Sequence, residues 1–235
     1  METKIINVNG VQALIRLNTT DEFIVNEIIK MNTYRKLNIY ANDVVLDAGL
    51  HIGMFTIKAL QNFAIVYSFE ACKENFIMAK YNIEVLNNNI CSPGNYRLYN
   101  LAVTGDNRSV RDFSLNDLSK YRNTGLHSLY YKRGRIIVPV KCENINSVLK
   151  RVNPTVIKMD IEGAEYECIK NIESFNGVRE FIFEFHHSEL KDIKTHEKYR
   201  ELIRILQSHF DIVDYNPDTK GAWVSLVYCK NNGDI

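Results

Sequence analysis

The sequence predicts an α/β fold, a mainly parallel sheet with helices on both faces. Three observations carry this. From Val44 onward, short apolar runs alternate with amphipathic segments of helical length, the rhythm of strands buried on both faces and joined by helical crossovers. The first run ends in a glycine-marked turn, "DAGLHIG" (Asp47 to Gly53), where a strand hands over to a helix. The last two runs, "FDIVDYN" and "GAWVSLVYCK", lie close together across "NPDTKG", which makes them an antiparallel edge pair. With 235 residues, 46% of them hydrophobic, the chain is long enough for one such domain with additions.

Residues 1–41 read as an N-terminal extension of hairpin and helix. "KIINVNGVQALIRL" places Asn9-Gly10 between two β-rich runs, and both residues tolerate the positive φ of a type I′ turn. "TDEFIVNEIIKMN" puts Phe23, Asn26, Glu27 and Lys30 on one face and Ile24, Ile28 and Met31 on the other. This is a helix with Thr20 or Asp21 as N-cap. The main domain, 42–235, then runs as strand "DVVLDAG", helix "GMFTIKALQNF", strand "AIVYSFEA" and helix "CKENFIMAKYNIEVLN". "NYRLYNLAV" reads as one strand, and "RIIVPVKCENINSVLKRV" as a strand followed by a helix. "PTVIKMD" is a strand, "EGAEYECIKNIESF" a helix, "VREFIFEFHH" a strand and "EKYRELIRILQSHF" a helix before the closing pair. The one long irregular stretch, Thr104 to Gly134, is expected to be a lid or binding segment, or else disordered.

Bulk composition excludes some functions. The 29 basic and 28 acidic side chains nearly cancel, so no field of one sign attracts DNA or an anionic membrane surface. The basic cluster "YYKRGR" (Tyr130 to Arg135) fits a solvated loop. Cys72, Cys91, Cys142, Cys168 and Cys229 form no CxxC pair, which points to reduced thiols rather than a zinc site or a disulfide frame. The first residues contain no apolar signal core, and no run approaches the roughly 20 apolar residues of a membrane span. A soluble, cytoplasmic protein is expected. The sequence leaves the oligomeric state open.

The turn after the first strand raises the question of its ligand. In open α/β sheets, ligands bind beyond the carboxyl ends of the strands. Glycines there let the backbone approach a ligand and let the helix start close to the strand. The second strand ends in Glu70, 21 residues after Gly49, where an acid accepts hydrogen bonds from ribose hydroxyls. The tight Gly-x-Gly-x-x-Gly cradle of a pyrophosphate is missing, and Asp47 adds negative charge. S-adenosylmethionine (SAM), with an uncharged ribose and a zwitterionic tail, fits better.

"VVLDAGLHIGMFT", "YSFEACKENFIMAKYNI" and above all "IKMDIEGAEYECIK", with its Lys-x-Asp-x-Glu-Gly-x-Glu pattern, closely resemble the FkbM-like family of SAM-dependent methyltransferases. The resemblance runs from about Val44 to about His187. It implies a Rossmann-like class I methyltransferase fold with a seven-stranded sheet, and methyl transfer to oxygen, often a sugar hydroxyl. It implies too that Asp47, Gly49 and Gly53 line the methionine end of SAM, that Glu70 holds the ribose, and that Asn100, Leu101 and Ala102 lie near the adenine. One place departs from the family. Leu50-His51 stands where members usually carry Ala-Asn. A neutral His, like Asn, both donates and accepts a hydrogen bond, so His51 is expected on the cofactor side, with a base facing the substrate as the alternative.

Methyl transfer is an in-line displacement, and a sugar hydroxyl needs a base or a metal to remove its proton. Asp160, ending the fourth parallel strand, is expected beside the methyl group. The next strand ends in "FEFHH", offering Glu184, His186 and His187. Alternation puts Phe181, Phe183 and Phe185 on one face and Ile182, Glu184 and His186 on the other. An acid in so apolar a strand calls for a partner. Glu162 and Glu165 read equally well as acids of a helix's first turn. Asp160 and Glu184 also offer the oxygens that suit Mg²⁺, although two carboxylates alone do not define a metal site. His127, Tyr130 and Tyr131 are expected around the acceptor. A sugar or glycan is the expected acceptor. DNA is not, since "DIEG" replaces the Asn/Asp-Pro-Pro-aromatic segment of DNA N-methylating enzymes. RNA ribose methylation is the alternative reaction. A catalytically silent SAM-binding module is the third reading, opposed by Asp47, Gly49, Glu70 and Asp160.

Overall fold

The computed structural model describes residues 1–118, 122–130, 136–187, 193–217 and 223–231. Strands β1 (Thr3–Val8) and β2 (Val11–Arg16) form the expected antiparallel hairpin. Asn9 and Gly10 both take positive φ, 51° and 85°, as a type I′ turn requires. Val11, Ala13 and Ile15 alternate inward and are fully buried. The outer edge of β2 meets two asparagine side chains. Asn82 accepts from the Leu14 amide at 2.7 Å, and Asn87 accepts from the Gln12 amide and donates to its carbonyl. Side-chain amides thus occupy groups that an open strand edge leaves unpaired.

Helix α1 (Asp21–Val25) continues as a π turn over Asn26–Lys30. Then the central sheet begins: β3 (Val44–Ala48), α2 (Met54–Gln61), β4 (Ile65–Phe69), α3 (Lys73–Tyr81) and β5 (Tyr96–Tyr99). A small second sheet follows, made of β6 (Ala102–Thr104), β7 (Val110–Leu115) and β8 (Ile136–Asn144). The chain ends with α4 (Ile145–Val152), β9 (Val156–Met159), α5 (Glu165–Lys170), β10 (Glu180–His186), α6 (Ile193–Gln207), β11 (Ile212–Asp214) and β12 (Val224–Lys230). The large sheet has seven strands in the order β11-β12-β10-β9-β3-β4-β5. β10, β9, β3, β4 and β5 run parallel, while β12 lies antiparallel between β10 and β11. The fold class expected from the strand rhythm is the fold observed.

The sheet separates two cores. Phe181, Phe183 and Phe185 pack with Leu46, Ile157, Met159, Tyr199 and Leu202. Ile182 faces the other side, with Val45, Val66, Ile57 and the hairpin's Val11, Ala13 and Ile15. The period-2 reading of β10 therefore holds for its apolar residues. Two expectations are corrected. "NYRLYNLAV" is not one strand: β5 ends at Tyr99, and Ala102 starts a strand of the small sheet. The stretch Thr104 to Gly134 is not wholly irregular either, because Val110–Leu115 pairs antiparallel with β8 along its length. Arg111 and Asp112 interrupt the apolar signal there, so the alternation that buries Phe113 was hidden in the sequence. No helix among the described residues is long and apolar enough to cross a membrane.

Candidate active site

The turn after β3 is held by contact with the end of β9. Gly49 has φ of 92°, and a Cβ there would lie 1.7 Å from the Asp160 carbonyl oxygen. Only glycine fits. Lys158 donates to the Gly49 carbonyl at 2.6 Å and sits 3.3 Å from Asp47. Burial works against the Lys158 charge, yet Asp47 and Asp160 hold its ammonium above its ordinary range. Asp47 is fully buried and also accepts from Thr56 at 2.8 Å. It therefore organises the turn from beneath and is not among the residues lining the cavity described next. Gly53, with φ of 95°, opens α2 and packs on Ala79 and Ile83. It too is absent from the lining.

Beyond the strand ends lies a cavity of about 870 Å³, lined by Gly49, Leu50, His51, Glu70, Leu101 and Ala102, and farther along by Asp160, Glu184 and His186. This volume is in the range of pockets for drug-sized ligands. Glu70 accepts one backbone amide on each carboxylate oxygen, from His51 and from Cys72, both at 2.8 Å. A carboxylate has about four acceptor sites, so capacity remains for two hydroxyls. Burial pushes the Glu70 carboxyl up to about 7. Asn100 donates to the Glu70 carbonyl at 2.7 Å and to that of Ala71 at 3.2 Å. It fixes the strand end, and the neighbouring Leu101 and Ala102 face the cavity.

His51 has φ of 51°, in the left-handed region where Asn and His are enriched among non-glycine residues. This explains physically how His replaces the family's Asn. Its ring sits 3.0 Å from the Thr124 hydroxyl. Thr124 donates to Asp21 at 2.6 Å, so it accepts from the His51 Nε2–H, and Nδ1 is left buried without a protein partner. Burial lowers His51 to about 4, so it is neutral near pH 7. Asp21 in turn is held by Arg16, 2.8 Å away. The turn, the segment around Thr124 and the N-terminal helix are thus joined by one buried polar chain.

The acids gather at the other end. Tyr34 donates to Glu184 at 2.8 Å and lies 3.5 Å from Asp160. The two carboxylates whose oxygens suit Mg²⁺ thus share contact with a phenol. Burial, and then the Asp160 charge, push the Glu184 carboxyl up to about 7. His186 meets Glu165 at 3.0 Å through Nδ1, and Glu162 and Asp160 at 3.5 and 3.8 Å through Nε2. One ligand-type atom each from Asp160, Glu162 and His186 lies within 4.8 Å of the others, a spacing open to a cation. Burial opposes charge on His186, but Glu165 and Glu162 hold it well above its ordinary value. The closest contact of His186, with Glu165, favours the protonated form of the ring. Glu165 closes its own turn, accepting the Ile161 and Gly163 amides. His187 points elsewhere, to Ser225 at 2.9 Å.

Phe113, Asn116, Asn123, Leu126, His127 and Leu129 also line the cavity. His127 accepts from the Asn116 amide at 2.8 Å, and burial lowers it to about 4. Tyr130 lies outside the lining, with its ring under Arg111. Tyr131 and most of the basic cluster fall outside the described residues. Sequence reasoning missed Tyr34, Phe23 and Trp223 as cavity residues. No local pattern marked them, because they arrive from the N-terminal segment and the C-terminal edge. Lys158 was in view, as the first residue of the Lys-x-Asp pattern.

Residues 47–212, more than half of the chain, match the methyltransferase FkbM domain. The chain belongs to the FkbM methyltransferase family. It is a SAM-dependent methyltransferase, and the glycine turn with Glu70 suits that cofactor. The fold is that of a SAM-dependent methyltransferase from Agrobacterium tumefaciens, with TM-score 0.53 and 14% identity over 98% of this chain and 70% of the other. It is also similar to the Pyrococcus abyssi tRNA (uracil-54, C5)-methyltransferase solved with S-adenosyl-L-homocysteine (SAH), with TM-score 0.51 and 13% identity. That match covers 97% of this chain and 44% of the other. A precorrin-6y C5,15-methyltransferase from Geobacter metallireducens matches with TM-score 0.50 and 10% identity, over 91% and 94% of the two chains. At these identities the likeness is one of fold. No match is found among curated protein sequences.

Proposed function

We propose that this methyltransferase passes the methyl group of SAM to a hydroxyl of a sugar or glycan. The observation that supports this reading most is the acid-lined end of the cavity. There Asp160 and Glu184 lie beside Tyr34, and the lining also includes Phe23 and Trp223, each 60% exposed. Exposed aromatic rings offer flat apolar faces of the kind sugar rings stack on, and carboxylates accept hydroxyl protons. The near-neutral charge favours an uncharged acceptor over a polyanion.

In this reading Glu70 accepts the ribose hydroxyls. Gly49, His51, Leu101 and Ala102 surround the cofactor, while Asp47 and Asn100 brace the turn and the strand end. SAM supplies an activated methyl on a sulfonium. Phe113, Asn116, Asn123, Leu126, His127 and Leu129 form the acceptor-side wall of the domain that starts near residue 42. Asp160 and Glu184 orient the attacking hydroxyl and take its proton. Glu184 is the better matched base, because a carboxyl raised to about 7 combines an available charged form with real basicity at neutral pH. His186, held by Glu165, assists from beside Asp160.

The test is mass spectrometry of free sugars, glycans and RNA after incubation with methyl-labelled SAM. Labelled O-methyl sugar is the expected product. Label in RNA ribose instead, or no transfer to any acceptor by protein that binds SAM, overturns the reading.

A further inference from the structure

The segment between α1 and β3 lies ahead of the residues that match the family domain, yet it enters the acidic end of the cavity. Its course is fixed by contacts with the far side of the sheet. The Asn38 amide donates to Glu180, the first residue of β10, at 2.8 Å. Arg179 donates to the Asn38 carbonyl at 2.8 Å, and Lys36 pairs with Asp214 on β11. The segment is thus fastened to the start of the strand that carries Glu184. Tyr34 is 6% exposed. Its ring meets Phe55 edge-on at 5.4 Å and has the Lys158 ammonium 5.6 Å from its centroid.

A phenol has one proton to donate, and Glu184 at 2.8 Å is nearer than Asp160 at 3.5 Å. That proton stays in place, since burial and then the charges of Glu184 and Asp160 push the phenol well above its ordinary value. Among the described residues, Tyr34 makes the one hydrogen bond to the Glu184 carboxylate. It engages Oε1 and leaves Oε2 for a ligand.

We propose that Tyr34 is a positioning residue of the active site, holding the Glu184 carboxylate towards the reacting methyl, so that the N-terminal segment completes a site the family domain alone leaves unfinished. The proposal rests on the reading of Asp160 and Glu184 as groups facing the methyl. A carboxylate on a flexible two-carbon arm needs such an anchor, because orientation at the reacting centre is where catalytic geometry is most demanding.

The test needs no knowledge of the acceptor. Sinefungin resembles SAM but carries an amine where the sulfonium methyl would be, whereas SAH carries nothing there. Calorimetric titration of both ligands gives an affinity ratio that reads the groups facing the methyl position. Wild-type protein is expected to favour sinefungin by about tenfold, the scale of one charge-assisted hydrogen bond. Tyr34→Phe keeps the ring and is expected to reduce that ratio by about threefold or more, with SAH affinity unchanged. In a Glu184→Gln background, Tyr34→Phe is expected to have no further effect, the signature of one residue acting through another. An equal effect in both backgrounds overturns the proposal, and so does a ratio that responds to Glu184→Gln but not to Tyr34→Phe. A wild-type ratio near one, unmoved by Glu184→Gln and by Asp160→Asn, instead overturns the underlying reading of the carboxylates. Should Tyr34→Phe fail to fold, 3-fluorotyrosine at position 34 keeps the ring and strengthens the donor. Its effect on the ratio must likewise vanish with Glu184→Gln.

Discussion

Glu70 shows how one side chain binds structure to function. Its two oxygens hold the amides of His51 and Cys72, so the acid proposed to accept the ribose hydroxyls also shapes the turn. Burial raises its carboxyl to about 7, and this sets a pH dependence. The ionised form offers acceptor sites to two hydroxyls, and the protonated form offers fewer. SAH affinity is therefore expected to rise with pH through about 7, by about tenfold between pH 6 and 8 if the ionised form alone binds well. His51 and His127 stay neutral across this range. Glu184 shares it, so Glu184→Gln serves as the control that keeps the slope. Titration calorimetry at the two pH values checks this, and Glu70→Gln should flatten the response. Gly49→Ala tests the turn itself. Its Cβ would overlap the Asp160 carbonyl, so SAH binding should be lost and stability should fall by at least about 1–3 kcal/mol. Retained binding in calorimetry would mean that the turn can move away from β9. Gly49, Glu70 and Asp160 were legible in the sequence because each ends a strand, where chain order and fold rhythm coincide. His51 was legible as a departure from the family, but its left-handed backbone was not. Tyr34 was illegible, because what matters about it is a contact made across more than a hundred residues of chain.

At the scale of elements, the buried chain from His51 through Thr124 and Asp21 to Arg16 joins four parts of the molecule. Arg16 ends β2 and grips Asp21 at the start of α1, and it also donates to Asn75 of α3 at 2.8 Å. A buried ion pair that loses one partner leaves an uncompensated charge. Arg16→Met is therefore expected to cost about 3–5 kcal/mol in urea unfolding. Lys4→Ala, which removes the exposed pair with Glu22, should cost less than about 1 kcal/mol. Equal losses in the two variants would show that the Arg16 network does not hold the hairpin to the domain. The elements themselves were largely readable. Apolar strands between helices announce themselves, as β3, β4, β9 and β10 did. β7 did not, because Arg111 and Asp112 carry charge through a strand that buries Phe113 and Ser114. The break between β5 and β6 was hidden for the opposite reason, since apolar and aromatic residues run straight across it.

At the scale of the whole molecule, the seven-stranded sheet brings the ends of β3, β4, β9 and β10 to one cavity, and the N-terminal segment, Phe113, Asn116 and residues from Asn123 to Leu129 line the rest of it. A ligand that binds only the folded state raises stability in proportion to the logarithm of its concentration over its dissociation constant. SAM and SAH are thus expected to raise the unfolding temperature by several degrees at about a hundred times their dissociation constants, and NAD is expected to leave it unchanged. An upward shift with NAD alone would contradict the cofactor assignment. Sugar O-methylation is the central claim, and its most direct test is to follow the label itself. Wild-type and Glu184→Gln proteins are incubated with methyl-labelled SAM and a panel of glycans. After hydrolysis, the monosaccharides are resolved by mass spectrometry. The expected result is a labelled O-methyl monosaccharide with the wild type and about 10²–10⁴-fold less with Glu184→Gln, the range of a positioned base. No labelled sugar from any glycan, or an equal yield from the two proteins at saturating SAM, would contradict it.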